Sequence, residues 1–262
     1  MNFQKVAVIL LILITGMTVI ERMNAADTTK EVNIIVNLLI GSPSGTGSKE
    51  FFNEYLSTFD ISVNQFAVSP LISATAKMNA MEEWNFGIKA DYFSAWANNS
   101  YSENEFVSGT YVTRAIDHKI SLNTIPFTFI AEYVPVQLPY HSYIGAGAGL
   151  SFGTMTWFEN INSSYSNDIR QTGTRFDENL IAPCLSIYSG VELKFDKKQN
   201  QELLGGVLLE VSYNYVFRQA KVFTGFKKQF VNPPASWDNS FRILPGYLGL
   251  MIGISFNLIF GR

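Results

Sequence analysis

The sequence predicts an all-β protein: an eight-stranded antiparallel up-and-down transmembrane β-barrel behind an N-terminal signal peptide. Apolar and polar residues alternate with a period of two along eight segments, as they do in strands with one apolar face. The connections between these segments are alternately long and short. The chain is also poor in charge, because 16% of its 262 residues are charged, against about 25% in a typical soluble domain.

The N-terminus has the pattern of a secretory signal peptide, which we predict over residues 1–25. Lys5 supplies the positive charge, residues 6–20 are apolar, and residues 23–26 offer a small-residue cleavage site. Residues 26–262 then form the mature outer-membrane barrel domain. An uncleaved helical anchor is the alternative, but its apolar run is shorter than the ~20 residues that span a bilayer as a helix. No later segment approaches ~18 continuous apolar residues, which argues against a helical membrane protein.

Charge and cysteine content narrow the class of protein further. The net charge of −3 and the lack of a concentrated basic face give no reason to expect a nucleic-acid partner. Cys184 is the single cysteine, so it cannot form an internal disulfide, and we interpret it as a small residue in a strand. Two histidines are too few for a His-rich metal site. We expect no metal and no cofactor.

The alternation places eight strands and leaves seven connections between them. The strands are predicted at 31–40, 65–79, 84–97, 119–133, 141–158, 180–195, 203–217 and 246–260. The long connections are 41–64, 98–118, 159–179 and 218–245, and the short ones are 80–83, 134–140 and 196–202. Outer-membrane barrels have short periplasmic turns and long outer loops. With the N-terminus in the periplasm, every long connection lies outside.

The alternation alone leaves open whether the apolar face points outward to lipid or inward, as in a soluble lipocalin-like barrel. The polar face carries charges of both signs, which suits a narrow lumen because buried charges must pair. These charges are Lys77, Lys89, Asp91, Glu132, Glu192, Lys194, Glu210 and Arg218, and all but Lys77 form our predicted lumen network. We predict a plug of ion pairs. A polar path for ions or small solutes is the alternative.

Aromatic residues collect near the strand ends, where outer-membrane barrels carry two girdles at headgroup level. The predicted girdle consists of Trp84, Tyr133, Tyr140, Trp157, Phe195, Tyr215, Phe217, Tyr247 and Phe260. Phe260 also closes an amphipathic final strand, which resembles the C-terminal signal of bacterial outer-membrane proteins. We therefore expect the barrel assembly machinery as a partner.

Two neighbouring segments resemble the central hairpin of small outer-membrane barrels. They are residues 125–133 (IPFTFIAEY) and, after a short turn, residues 143–150 (YIGAGAGL). On these segments the chain resembles the OmpW- and OmpX-type families. The resemblance implies an outer-membrane location and, for the OmpW type, a lateral opening for hydrophobic ligands. Pro126 removes a ladder donor inside a strand and predicts a bulge or kink that such an opening would need.

The sequence offers only weak candidates for catalysis. Alternate glycines at 145–149 lie within a predicted strand, which favours space in a narrow lumen over a phosphate loop. His141 and Ser142 bring to mind the His, Ser and Glu of lipid A deacylase, but adjacent strand residues point to opposite faces. His118 follows Asp117 at the outer rim without an identifiable serine. We predict that the protein is not an enzyme and keep a lipid-modifying enzyme as the least favoured alternative.

The predicted role is structural or surface-exposed, in adhesion or interaction. The alternative is porin-like passage of small or hydrophobic molecules, and the same fold hosts many roles. The outer connection 218–245 carries Lys221, Lys227, Lys228 and Arg242 against Asp238, a basic balance that could contact lipopolysaccharide phosphates. We expect a monomer surrounded by outer-membrane lipid.

Overall fold

The computed structural model describes residues 32–44, 67–68, 71–81, 83–107, 109–135, 141–165, 168, 175–195, 204–217, 220–222, 241–243 and 246–260. The strands are β1 (Val32–Ser44), β2 (Ala67–Val68), β3 (Leu71–Met81), β4 (Trp84–Val107), β5 (Thr110–Tyr133), β6 (His141–Ser163), β7 (Arg175–Lys194), β8 (Leu204–Val216), β9 (Ala220–Val222), β10 (Phe241–Ile243) and β11 (Tyr247–Phe260). In this part of the chain no helix is long and apolar enough to cross a membrane. The predicted signal peptide, Tyr140, Arg218, Lys227, Lys228 and Asp238 lie outside the described residues.

Eight of the strands close into a ring of antiparallel neighbours. The order around the ring is β1, β3, β4, β5, β6, β7, β8 and β11, and β11 pairs with β1 to close it. β2 pairs with β4 beyond the end of β3, and β9 and β10 form a separate two-stranded sheet. This confirms the predicted eight-stranded up-and-down barrel.

The strand register sets the tilt and width of the barrel. A row of directly opposed residues leads from Ser44 once around the ring to Ile34, ten positions earlier on β1. The row is Ser44, Leu248, Tyr213, Ile187, Ala146, Ala131, Phe86, Met78 and Ile34. With ~3.3 Å per residue and ~4.8 Å between strands, this shift tilts the strands by about 40° and gives a backbone radius of roughly 8 Å. Such a lumen is filled by side chains.

Burial follows the alternation and decides which face points inward. On β5 the even-numbered positions from Val112 to Glu132 are buried, while Phe129 on the other face is 70% exposed. The buried positions include charged residues such as Lys89 on β4 and Glu210 on β8. The polar face therefore lines the lumen and the apolar face is the exterior, as predicted for a membrane barrel and opposite to a lipocalin-like one.

The strands differ in length more than the sequence predicted, because β4 and β5 each have 24 residues. β4 and β5 pair from Trp84 and Tyr133 to Val107 and Thr110, and β6 follows β5 up to Ser163. The interpretation of 98–118 as a loop is wrong, because inward positions there remain buried and the ladder continues through them. The strands β4, β5 and β6 thus form a wall above the ring, which we call the outer wall.

Pro126 does not produce the predicted bulge. β5 keeps a single register with β4 and with β6 along its length. The visible effect is a gap in the β4–β5 ladder between the pair Ala90–Phe127 and the pair Phe93–Thr124. A missing N–H donor thus interrupts hydrogen bonding locally without shifting the strands, because the neighbouring pairs fix the register.

Candidate functional site

Four inward-facing charges pair across the lumen. Lys77 Nζ lies 2.5 Å from Glu132 Oε1, and Lys89 Nζ lies 2.5 Å from Glu210 Oε1. Asn85 donates a further hydrogen bond from Nδ2 to Glu132 Oε1 at 2.9 Å. All four charged side chains are at most 3% exposed, so each depends on its partner. This arrangement agrees with the predicted plug of ion pairs.

Two tyrosines complete this network. Tyr143 Oη donates to Glu210 Oε2 at 3.0 Å. The Lys77 ammonium lies 4.8 Å from the centroid of the Tyr143 ring, and the Lys89 ammonium lies 4.4 Å from that of Tyr188. Ring faces stabilise cations that have been removed from water. We refer to Lys77, Lys89, Glu132, Glu210, Tyr143 and Tyr188 together as the ion-pair plug.

Glycines make the room that these tyrosines occupy. A Cβ on Gly145 would lie 2.2 Å from Tyr188 Cζ, and one on Gly190 would lie 2.4 Å from Tyr143 Oη. Any larger residue at either position would collide with a ring of the plug. The alternate glycines of β6 therefore serve packing in the lumen, as the sequence indicated, and lie in a continuous strand rather than in a phosphate loop.

The remaining predicted lumen charges take different positions. Asp91 Oδ2 accepts a hydrogen bond from Tyr247 Oη, whose ring packs against Phe93 with centroids 5.2 Å apart. Glu192 Oε1 accepts from Ser255 Oγ at 2.5 Å. Lys194 is exposed at the end of β7, so the prediction that it joins a buried network is wrong. It lies at the rim of the barrel where β7 ends, and water can solvate it there.

Two residues that were predicted to belong to the girdle point into the lumen. Trp157 and Tyr247 are fully buried inside the barrel, so their assignment to the girdle is wrong. Trp157 has the parity of buried Met155 on β6, and Tyr247 has the parity of buried Met251 on β11. Alternate residues of a strand point to the same side, so an even spacing from a buried residue predicts an inward side chain. This spacing, and not nearness to the strand ends, places Trp157 and Tyr247 inside.

The other girdle assignments stay a prediction. Outward aromatic side chains do lie near strand ends at Trp84, Tyr133, Tyr215 and Phe217, and Phe195 lies just after β7. Trp84 packs against Tyr133 with centroids 5.3 Å apart, and Tyr215 packs edge-on against Phe217. The Phe260 side chain lies outside the described side chains.

Above the ion-pair plug the lumen is filled largely by apolar side chains, with the Asp91–Tyr247 hydrogen bond among them. One buried cluster includes Leu39, Leu71, Phe93, Leu122, Met155, Trp157, Tyr247 and Met251. The described part of the lumen thus has a charged lower half and a mainly apolar upper half that encloses Asp91. This order argues against a continuous polar path along the axis.

His118 lies inside the outer wall. Its Nε2 is 3.0 Å from Glu159 Oε2, and both side chains are buried. The ring also packs against Tyr101 and Trp157, with centroids 5.3 Å and 5.0 Å away. His118 therefore belongs to the packed interior of the wall and not to an accessible nucleophile site.

Arg114 fixes the β6–β7 connection to the wall, a feature that the sequence analysis missed. Its guanidinium donates from Nε and Nη2 to both carboxylate oxygens of Asp168, at 2.6 Å and 2.8 Å. Nη1 also donates to Glu105 Oε2 at 2.5 Å, and Ser163 Oγ donates to Asp168 Oδ2 at 2.6 Å. The bond to Asp168 raises the pKa of Arg114 above its usual value. We call this group the Arg114 clamp.

The tip of the β4–β5 hairpin exposes two aromatic rings, also missed from the sequence. Phe106 is 61% and Tyr111 is 79% exposed, and their rings meet edge to face with centroids 4.9 Å apart. Gly109 adopts a positive φ of 86° in the turn that joins the two strands. The rings therefore stand in water at the end of the outer wall.

The exterior of the ring is a continuous apolar band. Outward positions are mostly apolar over residues 84–96, 125–133, 144–152, 181–193, 207–217 and 248–258. These ranges are long enough for a tilted strand, which needs ~9–11 residues to cross a bilayer. A closed ring with an apolar exterior and a charged lumen satisfies its backbone and its charges within lipid. The chain is a transmembrane β-barrel.

Solved structures similar to this barrel come from three bacterial sources. Neisserial surface protein A (NspA) has a TM-score of 0.39 and 13% identity, covering 88% of this chain and 100% of that one. Ail, the attachment invasion locus protein of Yersinia pestis, gives 0.34 and 11%, covering 86% and 98%. CarO2 of Acinetobacter baumannii gives 0.35 and 13%, covering 88% and 100%. No protein-family model and no curated protein matches the sequence.

Proposed function

We propose that this barrel resides in an outer membrane and acts through contacts that its outer wall makes at the cell surface. The observation that carries the proposal is the wall itself. β4, β5 and β6 rise beyond the apolar band, and their tip exposes Phe106 and Tyr111 to water. The strand ends that the short connections join, together with the start of β1 and the end of β11, lie at the opposite rim, which we assign to the periplasm.

The filled lumen supports a surface role over a porin-like one. Lys89 and Glu210 meet in the lower half, and the fully buried Trp157 lies in the upper half. Opening an axial path would require separating a buried ion pair, which leaves each charge uncompensated. An eight-stranded lumen offers no other space of channel width.

The residues that the sequence raised for catalysis lie too far apart to cooperate. His118 packs inside the outer wall, whereas His141 and Ser142 lie at the opposite end, at the start of β6. No group of three or more His, Cys, Asp and Glu that could hold a metal occurs among the described residues. We therefore propose a binding role and no reaction.

An adhesion assay with a shortened wall tests this proposal. The residues 103–106 and 111–114 are opposed pairs, so deleting both sets shortens the hairpin and keeps its turn and pairing. We expect a non-adherent bacterium that displays the full chain to bind host or bacterial surfaces, and the shortened chain to bind much less. Heat-modifiable gel migration of both chains is the control for folding. Equal binding by two folded chains would remove the proposal.

A second candidate function is lateral passage of hydrophobic molecules through the wall of the barrel. It is favoured by interrupted strand pairing on both sides of β4, which we call the seam. The β4–β5 ladder has a gap beside Pro126, and the described β3–β4 pairs end at Tyr92 before β2 resumes at Ala95. Among the described residues, the pairing of β4 is therefore interrupted on both of its sides at this height.

A reversible cross-link across the seam tests lateral passage. Tyr92→Cys with Ile125→Cys would join β4 to β5 beside the gap, because these residues face each other across it. We expect uptake of a hydrophobic dye into proteoliposomes to stop on oxidation and to return on reduction. No uptake by the unmodified chain would eliminate this second function.

A further inference from the structure

The aromatic pair at the wall tip differs from the other exposed rings of this protein. Rings such as Phe129 lie in the apolar band and face lipid. Phe106 lies ten positions beyond Trp96, the last large apolar residue of the band on β4. At ~3.3 Å per residue and a tilt of about 40°, the pair stands roughly 25 Å above the band. Lipid therefore does not explain its exposure, and exposed apolar patches mark binding sites.

The outward face below the tip is rich in hydroxyl and amide groups. Its exposed residues include Asn98, Ser100, Ser102, Asn104 and Thr113, with the charged Asp117 and Lys119 farther from the tip. Three of the uncharged residues take part in hydrogen bonds across the hairpin: Ser100 Oγ donates to Asp117 Oδ1 at 2.6 Å, and Thr113 Oγ1 donates to Asn104 Oδ1 at 2.8 Å. The second bond holds Asn104 and Thr113 in place two residues from the rings, which lowers the entropy lost on binding.

The charges near the tip argue against an anionic ligand. Among the described residues, Arg114 is the cation nearest the tip, and it is buried and held by Asp168 and Glu105. Glu103 and Glu105 lie on the same hairpin, and the Glu105 side chain is 59% exposed. The described residues of the tip are thus neutral to slightly negative in charge, and they would repel a polyanion.

The size of the tip argues against a folded protein as the partner. A stable protein interface buries about 800 Å² on each side. Two rings on a two-stranded hairpin offer a narrow site that suits a thin, extended ligand. Polarised C–H groups of a sugar ring can pack against the electron-rich face of an aromatic ring, and sugar hydroxyls pair with amide and hydroxyl side chains.

We propose that Phe106 and Tyr111 form a binding site for uncharged oligosaccharide chains, with the rings as the stacking platform and Asn104 and Thr113 as the adjacent polar contacts. The inference rests on the proposed surface function and names its ligand class. It makes Tyr111, the more exposed of the two rings, the main contact.

A binding panel with matched variants tests the ligand class. The barrel in lipid nanodiscs is titrated with neutral gluco-oligosaccharides and with a sulfated oligosaccharide. We expect the neutral chains to bind and Tyr111→Ala to weaken them about tenfold, the equivalent of one lost ring contact. Phe158→Ala, which removes an outward exposed ring of β6 at the side of the wall, should leave affinity within about twofold. Raising NaCl from about 0.05 M to 0.5 M should change nothing, since no charge is paired.

The outcomes of these experiments distinguish a wrong ligand class from a wrong surface function. Binding of the sulfated chain alone, weakened by salt and insensitive to Tyr111→Ala, would overturn the oligosaccharide assignment. So would an absence of binding to every neutral chain. Adhesion that needs the tip but survives periodate treatment of the target cells would overturn the sugar ligand and leave the surface function standing. Adhesion independent of the wall would remove both.

Discussion

At the scale of single residues, the barrel depends on charges that have no contact with water. Lys89 and Glu210 come from β4 and β8, far apart in the sequence, and meet inside the lumen. Either residue alone would be a buried unpaired charge, which is among the costliest defects in a folded protein. The contribution of this pair to stability is therefore measurable only when one partner is removed.

We expect Lys89→Met to destabilise the barrel by about 3–5 kcal/mol, because it strands the Glu210 carboxylate. The double variant Lys89→Met with Glu210→Met should recover most of the loss, since it removes both charges at once. Urea unfolding in lipid vesicles, followed by tryptophan fluorescence, measures both. A double variant as unstable as the single one would show that the pair does not act as a unit.

The glycines of β6 make a second prediction at this scale. Gly145→Ala should destabilise the barrel by about 1–3 kcal/mol, because the new methyl group would overlap the Tyr188 ring. Tyr188→Val removes that ring and should reduce the cost of Gly145→Ala when the two are combined. Gly109→Ala is not a suitable control, since its φ of 86° is itself strained for alanine. Ala146→Gly, on the outward face beside Gly145, serves instead.

At the scale of elements, the outer wall owes its form to one long hairpin and one clamp. β4 and β5 stay paired far beyond the other strands, and β6 is held to them up to Ser163. The Arg114 clamp then ties Asp168 to β5 through a bidentate charge-assisted bond. The wall is thus a braced structure rather than a pair of loose loops.

We expect Arg114→Lys to loosen the β6–β7 connection, because lysine cannot make the bidentate contact. Hydrogen–deuterium exchange should rise at Ser164 and Asp168, whose amides bond to Thr113 and Tyr165. Exchange in β8 is the internal control and should not change. Because the pKa of Arg114 is raised, its part of the stability is present below the ordinary arginine pKa and is lost only above the raised one. Neutral or mildly alkaline pH should therefore leave the clamp closed.

At the scale of the whole molecule, the barrel is a filled cylinder with an apolar exterior. The ion-pair plug occupies its lower half and the apolar cluster around Trp157 and Tyr247 its upper half. Water and ions would have to displace both to pass along the axis. The molecule therefore contacts its surroundings through two surfaces, the lipid-facing band and the outer wall.

We expect no steady ion conductance from the purified barrel in planar lipid membranes at moderate voltage. The physical reason is that no open column runs past the described plug and cluster. Single-channel recording checks this, with an open porin of known conductance as the positive control. Stable openings in the unmodified chain would contradict it and would favour a transport role.

The charges and aromatic positions in the sequence favoured the apolar face as the side that faces lipid. The sequence by itself determined the strand count, the up-and-down order and the packing role of the β6 glycines. These follow from a period of two and from connection lengths, which are local properties. The sequence failed where local composition and pairing disagree. Polar residues 98–118 suggested a loop, yet the ladder with β5 carries them on as strand. Trp157 and Tyr247 were assigned to the girdle by position, although their parity places them inside.

Only the tertiary structure decided which charges meet, where the clamp lies and how far the wall rises. Lys77 pairs with Glu132 and Lys89 with Glu210 because a shift of ten residues around eight strands sets which inward positions share a height. That shift is the sum of the register offsets between all eight pairs of neighbouring strands, so no single segment of the sequence determines it. Closure of the ring converts an alternating pattern into a particular set of neighbours, and those neighbours make the plug and the exposed wall.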